Sequence, residues 1–461
     1  MQSCIFPRRS AAGQRHTRQL RTPPVMDLYG YQETGVAFLS GRKGAILGDG
    51  MRLGKTPQAI RAAGNLGAER VLVVTTAKAR VNWGREWMEW GNFPLPVHVI
   101  GSTTQRIPDR DVVVVSYEQV LADGVFNQLS AGRWDVLVMD ESHRLKSPDA
   151  QITRKVLGKY GLIHKSGHRW ALSGTPSPNH PGELWTMLYT NCPDAIRDNG
   201  KPMGQDAFER RYCNIVTDRK TGFRRVMGGK NLGELKDRLS GVMLRRTKEE
   251  VWPERPRVIW GAPLYVEPDA VSDELRALEN SPEGLQLKAL LSKDELPEAD
   301  DAMLATLRRL TGIVKARAVA ELVQDELLSG SKNKLVIYGW HRAVLEELHR
   351  RLGAYGAVMV YGGTADAQKN IDLFQTDPET RVFIGQIKSV GEAIRLDAAD
   401  DVIFVEGSWT PGDNHQAADR IWHLSKQVAM SARFVALAGS VDEAVLRVLT
   451  RKCRTLSGLY D

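Results

Sequence analysis

The chain has 461 residues, 42% hydrophobic and 26% charged, with a formal net charge of +8 at pH 7. That length allows two or three domains with buried cores, and the positive balance favours an acidic partner, of which nucleic acid is the commonest. Cys4, Cys192, Cys213 and Cys453 are dispersed without a Cys-x-x-Cys pair, which speaks against a zinc site or a disulfide scaffold, and no apolar run is long enough to predict a membrane span.

In chain order, residues 1–25 come first, with Arg8, Arg9, Arg15, Arg18 and Arg21 and no acidic residue. They lack the apolar core of a secretory signal, and read as a disordered basic arm, a transit peptide or an extension upstream of a start at Met26. Short β-branched apolar runs then recur at helix-length intervals: Ala45–Leu47, Val71–Val74, Val112–Val115, Val136–Met139 and Trp170–Leu172. A second set follows at Leu335–Tyr338, Val358–Tyr361, Val382–Ile384, Val402–Val405 and Phe434–Leu437. Continuous apolar strands alternating with helices predict parallel sheets covered on both faces, hence two α/β lobes in tandem. Pro253, Pro256 and Pro263 mark the break. The expected division is 26–255 with a helical insertion at about 190–240, then 256–461 with one at about 267–330. Residues 280–301, rich in Glu, Asp and Pro, read as a solvated loop or a mobile insertion.

Gly48-Asp49-Gly50-Met51-Arg52-Leu53-Gly54-Lys55-Thr56 lies between the first strand and a helix. A glycine-bearing loop opening a helix makes an anion site, because free N–H groups and the positive helix end converge there. Lys55 would reach terminal phosphates and the Thr56 hydroxyl would ligate Mg²⁺. A plain helix start without nucleotide is the other reading of this segment by itself. Asp140-Glu141-Ser142-His143 ends a buried strand, where ligands bind in open α/β sheets. Asp140 suits a Mg²⁺ shell, and Glu141 suits orienting and deprotonating an attacking water. Ser173-Gly174-Thr175-Pro176 follows another strand; its hydroxyls could relay the nucleotide state to a polyanion, or form a turn and nothing more.

Together these residues resemble helicase superfamily two, and within it the Swi/Snf-type DNA translocases. The likeness implies two RecA-like lobes. Leu28 to Val36 is similar to the opening motif, whose glutamine, here Gln32, reads adenine. Asp49 to Thr56 resembles the phosphate loop, in which Asp49, Gly50, Met51, Leu53, Gly54, Lys55 and Thr56 contact the nucleotide. Asp140-Glu141 looks like the acidic box, followed by Lys146. The 173–176 segment, Asn179 and Glu183 resemble the third motif, and Leu244-Arg245-Arg246-Thr247-Lys248 the basic segment closing the first lobe. Lys388-Ser389-Val390-Gly391 is similar to the fifth motif, and Trp409-Thr410-Pro411 with Gln416 to Arg420 to the sixth, whose arginine meets the γ-phosphate. Residues 314–351 look most like the small HepA-related branch that includes annealing helicases. The chain departs from the pattern at Arg52 and Ala393, which replace glycines, and at His423, which replaces the second arginine of the sixth motif.

The resemblance implies ATP and Mg²⁺ at the cleft, with Lys55, Asp140 and Glu141 on one side and Gln416 and Arg420 on the other. Double-stranded DNA is the implied partner, with a recruiting protein expected beside it and no membrane. Lys78, Arg80, Ser173, Thr175, Arg245, Arg246 and Lys388 are the expected nucleic-acid contacts, holding phosphates without reading sequence. Trp83, Trp87 and Trp90 share a helix face and read as core. The expected function is a DNA-dependent ATPase that tracks on duplex DNA in the cytoplasm or nucleoid. A strand-separating DNA or RNA helicase, and a DNA-binding protein with a decayed motor, are the alternatives.

Overall fold

The computed structural model describes residues 27–447 apart from 92, 94, 109, 178–179, 218–223, 255, 257, 268–272, 293–301, 388, 390–393, 409–410 and 424–425. The basic arm, Asn179, Lys388, Gly391 and Ala393 therefore lie outside the described residues.

Two seven-stranded sheets organise the chain. The first uses β1 (Gly44–Leu47), β2 (Arg70–Thr75), β3 (Val97–Val99), β4 (Asp111–Ser116), β5 (Trp134–Asp140) and β6 (Ser166–Leu172). Two small antiparallel ribbons follow, β7 (Arg197–Asp198) with β8 (Lys201–Pro202) and β9 (Cys213–Thr217) with β10 (Arg224–Gly229). β11 (Met243–Leu244) then returns to the first sheet, whose order is β11-β1-β6-β5-β2-β4-β3, parallel throughout. The second sheet comprises β12 (Val258–Trp260), β13 (Leu264–Val266), β14 (Leu335–Gly339), β15 (Ala357–Val360), β16 (Val382–Gln386), β17 (Asp401–Phe404) and β18 (Met430–Leu437). Its order is β12-β18-β17-β14-β16-β15, with β13 also on β18, and it too is parallel. All ten apolar runs expected as strands lie in these sheets; β3, β11, β12 and β13 are too short to show a period in sequence.

Each sheet is covered on both faces, as its continuous Val, Ile and Leu runs require. One apolar cluster of the first lobe holds Leu72, Val74, Val113, Leu137 and Met139, and the cluster on the opposite face holds Val71, Val73, Val112, Val136 and Val138. The alternation along each strand divides neighbouring residues between the two faces. Trp83 and Trp87 of the helix Arg80–Trp90 are buried in the second of these clusters, as core.

The region between the sheets is partly helical, with Gln205–Tyr212 and Leu232–Leu239 in the first segment and Ala302–Leu328 in the second. Pro282–Ser292 is a helix rather than the expected solvated loop. Proline at its first position costs no hydrogen bond, and Ser281 Oγ accepts from Gly284 N at 3.1 Å at its start. No described helix is long and apolar enough to cross a membrane.

Candidate active site

Parallel strands place all their C-terminal ends on one edge, and the register is tight there: Leu47 lies opposite Leu172, and Asp140 opposite Leu172 from the other side. The loops after β1, β5 and β6 therefore emerge side by side. These carry the phosphate loop, Asp140-Glu141 and Ser173 to Pro176.

The phosphate loop is built against β11. Gly48 N–H donates to Leu244 O at 2.7 Å and Gly50 N–H to Arg246 O at 2.8 Å, so these two amides are committed to the sheet edge. Phosphate-binding amides must then come from the residues that follow. Gly54, with φ of 71°, turns the chain into the helix Lys55–Asn65, whose first turn has no side-chain cap. A Cβ on Gly54 would lie 2.3 Å from Gln32 Nε2, so only glycine fits. Lys55 Nζ donates to the carbonyls of Asp49 at 2.9 Å and Gly50 at 3.2 Å, and Thr56 is the second helical residue.

Asp49 differs from its expected role at the nucleotide. It is 0% exposed, and its carboxylate accepts from Arg246 Nε at 2.9 Å, Arg246 Nη2 at 2.5 Å and Gln58 Nε2 at 3.1 Å. It holds the floor of the loop. Arg246, expected on nucleic acid, is correspondingly turned inward, 14% exposed, and also bonds the Tyr31 carbonyl and Gln58 Oε1. Gln32 is buried, accepting from Tyr29 N at 3.0 Å and donating to Leu53 O at 3.3 Å, while Tyr31 Oη donates to the same carbonyl at 2.9 Å. In this conformation Gln32 braces the loop from behind.

Asp140 Oδ2 accepts from Thr75 Oγ1 at 2.8 Å and Trp83 Nε1 at 2.7 Å, and Tyr117 Oη donates to the Asp140 carbonyl at 2.7 Å. Trp83 and Thr75 were not expected at the site. Their polar atoms reach it from a core helix and a neighbouring strand, which no local signal announces. Glu141 has φ of 49°, an uncommon conformation for a non-glycine residue and of the kind that clusters at functional sites. Its Oε2 lies 3.4 Å from His143 Nδ1, which is 3.0 Å from Ser173 Oγ. Ser173 is fully buried and accepts from Thr175 N at 3.1 Å, so the expected contact with nucleic acid gives way to a link between the acidic box and the loop after β6. Lys146 pairs with Glu183 at 2.6 Å, holding the following segment to the same loop.

The second lobe faces this edge. Gln416 Nε2 donates to Met51 Sδ at 3.2 Å, and Arg420 sits buried beyond it. Tyr338 Oη, donating to Ala417 O at 3.1 Å, fixes the turn between them. Arg52 Nη2 reaches the carbonyls of Ile394 and, at 3.4 Å, Arg420. Burial first, and then the Arg420 charge, pull Arg52 down to about 10. His423 is lowered from its ordinary value by burial, then by Arg395 and Arg52, so it is neutral at pH 7.

Of the other expected nucleic-acid residues, Thr175 and Arg245 are exposed, and Arg245 lies beside Gly48 near Pro176. Lys78 is exposed and donates to Ser389 O of the second lobe at 2.6 Å. Arg80 is half-buried and bonds the carbonyls of Ala77, at 3.2 Å, and Ile100.

Two parallel-sheet lobes, with a phosphate loop and an acidic pair on one and an arginine presented by the other, define the architecture of the helicase-like ATPases. The SNF2-related domain matches residues 31–258, and the helicase conserved C-terminal domain matches residues 315–425. The chain belongs to the Swi/Snf-type, SNF2-related family. It is 28% identical over 454 residues to the DNA annealing helicase and endonuclease ZRANB3 of Bos taurus, covering 93% of this chain and 40% of that protein. It is also 28% identical over 439 residues to the SWI/SNF-related matrix-associated actin-dependent regulator of chromatin subfamily A-like protein 1 of Xenopus tropicalis, covering 93% of this chain and 44% of that protein. The chain thus spans less than half the length of either relative. Among solved structures, the Sulfolobus solfataricus SWI2/SNF2 ATPase core in complex with dsDNA aligns over 94% of this chain and 92% of that one, with 21% identity and a TM-score of 0.43.

Proposed function

We propose that the chain is an ATP-driven motor on double-stranded DNA, remodelling or reannealing the duplex rather than separating its strands, in the cytoplasm or nucleoid. The observation that carries this is the convergence at one cleft of Lys55 and Asp140-Glu141 from the first lobe with Gln416 and Arg420 from the second. The names of the two relatives, an annealing helicase and a chromatin regulator, agree with a DNA substrate.

The residues present fit a nucleotide with Mg²⁺. The uncapped start of the helix Lys55–Asn65 offers amides to an anion. Thr56 and Asp140 supply one hydroxyl and one carboxylate, a sparse set suited to an ion that keeps waters and phosphate oxygens as its other ligands. Mg²⁺ there would neutralise charge on the phosphate oxygens. Lys55 would exchange its loop carbonyls for terminal phosphates. Glu141 would orient the attacking water and take its proton, with His143 linking it to Ser173. Arg420 would stabilise charge on the transferred phosphoryl group, and Gln416 would help fix the approach of the two lobes. Arg245 and Thr175 on the exposed rim, with Lys78 of the same lobe reaching over to Ser389, are the proposed grip on the DNA backbone; Lys388 belongs to the same proposal, as Gly391 does to nucleotide binding. A recruiting protein beside the DNA belongs to the same proposal.

ATP hydrolysis measured with duplex DNA, single-stranded DNA and RNA is the test. Duplex DNA is expected to stimulate most, and its affinity to fall steeply with salt. Glu141→Gln should lower the stimulated rate by about 10²–10⁴-fold. Stimulation by RNA alone, or equal rates for wild type and Glu141→Gln, would sink the proposal.

A further inference from the structure

Two of the departures from the family pattern meet across the cleft. Arg52 stands in the phosphate loop where the family has glycine, and its φ of 71° lies in the left-handed region that a side chain resists. His423 stands in the Arg420 segment where the family has a second arginine. The Arg52 guanidinium leaves its own lobe and bonds the Ile394 and Arg420 carbonyls. The Arg420 carbonyl also accepts from Leu396 N at 3.0 Å, so one carbonyl joins the 394–396 segment, the Arg420 turn and the phosphate loop. Arg52 acts electrostatically on His423 and Arg420, and Asp397 and Asp419 partly offset it.

We propose that Arg52 is an interlobe positioning residue that supplies, from the phosphate loop, the cationic group that His423 does not supply in the Arg420 segment. By holding the Ile394 and Arg420 carbonyls it sets Arg420 against the nucleotide as the lobes close. A guanidinium is suited to this because the two N–H groups of its Nη2, which donates to both carbonyls, point in fixed directions in one plane, whereas the donors of an ammonium on a flexible stem rotate freely. Two guanidinium groups close together in one cleft repel, and an anion between the lobes relieves that repulsion. Polyphosphate binding and closure are thereby coupled through Arg52. A glycine at this position would remove both the strain and the coupling.

This inference rests on the reading of the cleft as a nucleotide-hydrolysing site. Its test compares wild type, Arg52→Gly, Arg52→Lys, His423→Arg and the double variant Arg52→Gly/His423→Arg. Duplex-stimulated kcat and KM for ATP, equilibrium binding of a fluorescent ATP analogue, and thermal midpoints are measured for each. Arg52→Gly should lower kcat about tenfold or more, as loss of a charged hydrogen-bond pair at the cleft implies. Analogue affinity should change by less than about threefold, because Lys55 and the loop amides remain. Its thermal midpoint should not fall, since glycine accepts the left-handed backbone. Arg52→Lys should recover little, and the double variant should regain most of the lost kcat. An Arg52→Gly kcat within about twofold of an active wild type overturns the inference alone. A double variant no better than Arg52→Gly overturns the replacement of the missing arginine. A wild type that hydrolyses no nucleoside triphosphate, with or without DNA, overturns the reading of the site beneath it.

Discussion

Glu86 sits one turn beyond Trp83 on the helix Arg80–Trp90, the same helix whose indole holds Asp140. Burial pushes its carboxyl up to about 7; Asn82, which donates to it at 2.6 Å, and Arg395 oppose the shift, and Glu89 and Asp140 add to it. Because the folded protein favours the protonated form, this group's stabilisation is complete below its ordinary 4.5 and is lost as pH rises through about 7. Asp397 works in a separate window: burial raises it, but Arg395 and Gln375 outweigh that and take it down to about 2, so its contribution is lost only as pH falls below the ordinary carboxylate range. The urea midpoint of wild type should therefore drop between about pH 5 and about pH 8 by more than that of Glu86→Gln. Equal drops would show that Glu86 does not titrate in this range. At this scale the sequence led to the expectation of Lys55, Asp140, Glu141 and Arg420 around one cleft, but it could not tell Arg245 from Arg246. One is exposed and the other is turned inward onto Asp49, a difference set by a carboxylate far off in the chain and not by either residue's type.

Among the elements, β11 shows what two residues can do. Met243 and Leu244 pair with Ile46 and Leu47, and that pairing carries Arg246 beneath the phosphate loop. The motif for nucleotide binding thus depends on a strand about 200 residues away in sequence, which local patterning does not reveal. Asp49 has no exposed surface and Arg246 little, so removing one partner leaves a buried charge without its counter-charge. Asp49→Ala should cost about 3–5 kcal/mol in chemical denaturation. Asp49→Ala/Arg246→Ala should be less destabilised than the sum of the two single variants, as expected for a coupled pair. Additive losses would mean that the two side chains act separately.

At the scale of the whole molecule, the lobes touch through contacts of unequal weight. Leu53 of the phosphate loop is 1% exposed and belongs to the apolar cluster of the second lobe, beside Ile394 and Ile421. Burying such a side chain contributes roughly 1.5–3 kcal/mol. Arg85 and Asp372 form a two-pronged ion pair across the lobes at 2.7 and 2.8 Å, but their side chains are 46% and 41% exposed, so the pair contributes about 0–1 kcal/mol. Lys248 of the connecting segment pairs with Asp419 at 2.5 Å, next to Arg420. The contact between the lobes is accordingly held mainly by apolar packing and the Arg52 contacts, with a salt-sensitive rim. Asp372→Ala should leave the unfolding free energy within about 1 kcal/mol of wild type. Its lobe separation, read by fluorescence transfer between labels on the two lobes, should respond less to added salt than that of wild type. An unchanged salt response would mean that the pair does not help to hold the lobes together.

The sequence by itself determined the two parallel sheets, their ten long strands and the family, because buried strands must be continuously apolar and a phosphate loop needs glycine, lysine and a helix start in fixed succession. It also placed the departures at Arg52 and His423 without giving them a meaning. The tertiary structure alone decided that Asp49 faces Arg246, that Ser173 is buried on His143, that Trp83 holds Asp140, and that Arg52 crosses to the Arg420 segment. Each of these joins residues far apart in the chain, and their meeting depends on strand order and lobe packing, which local periodicity does not encode.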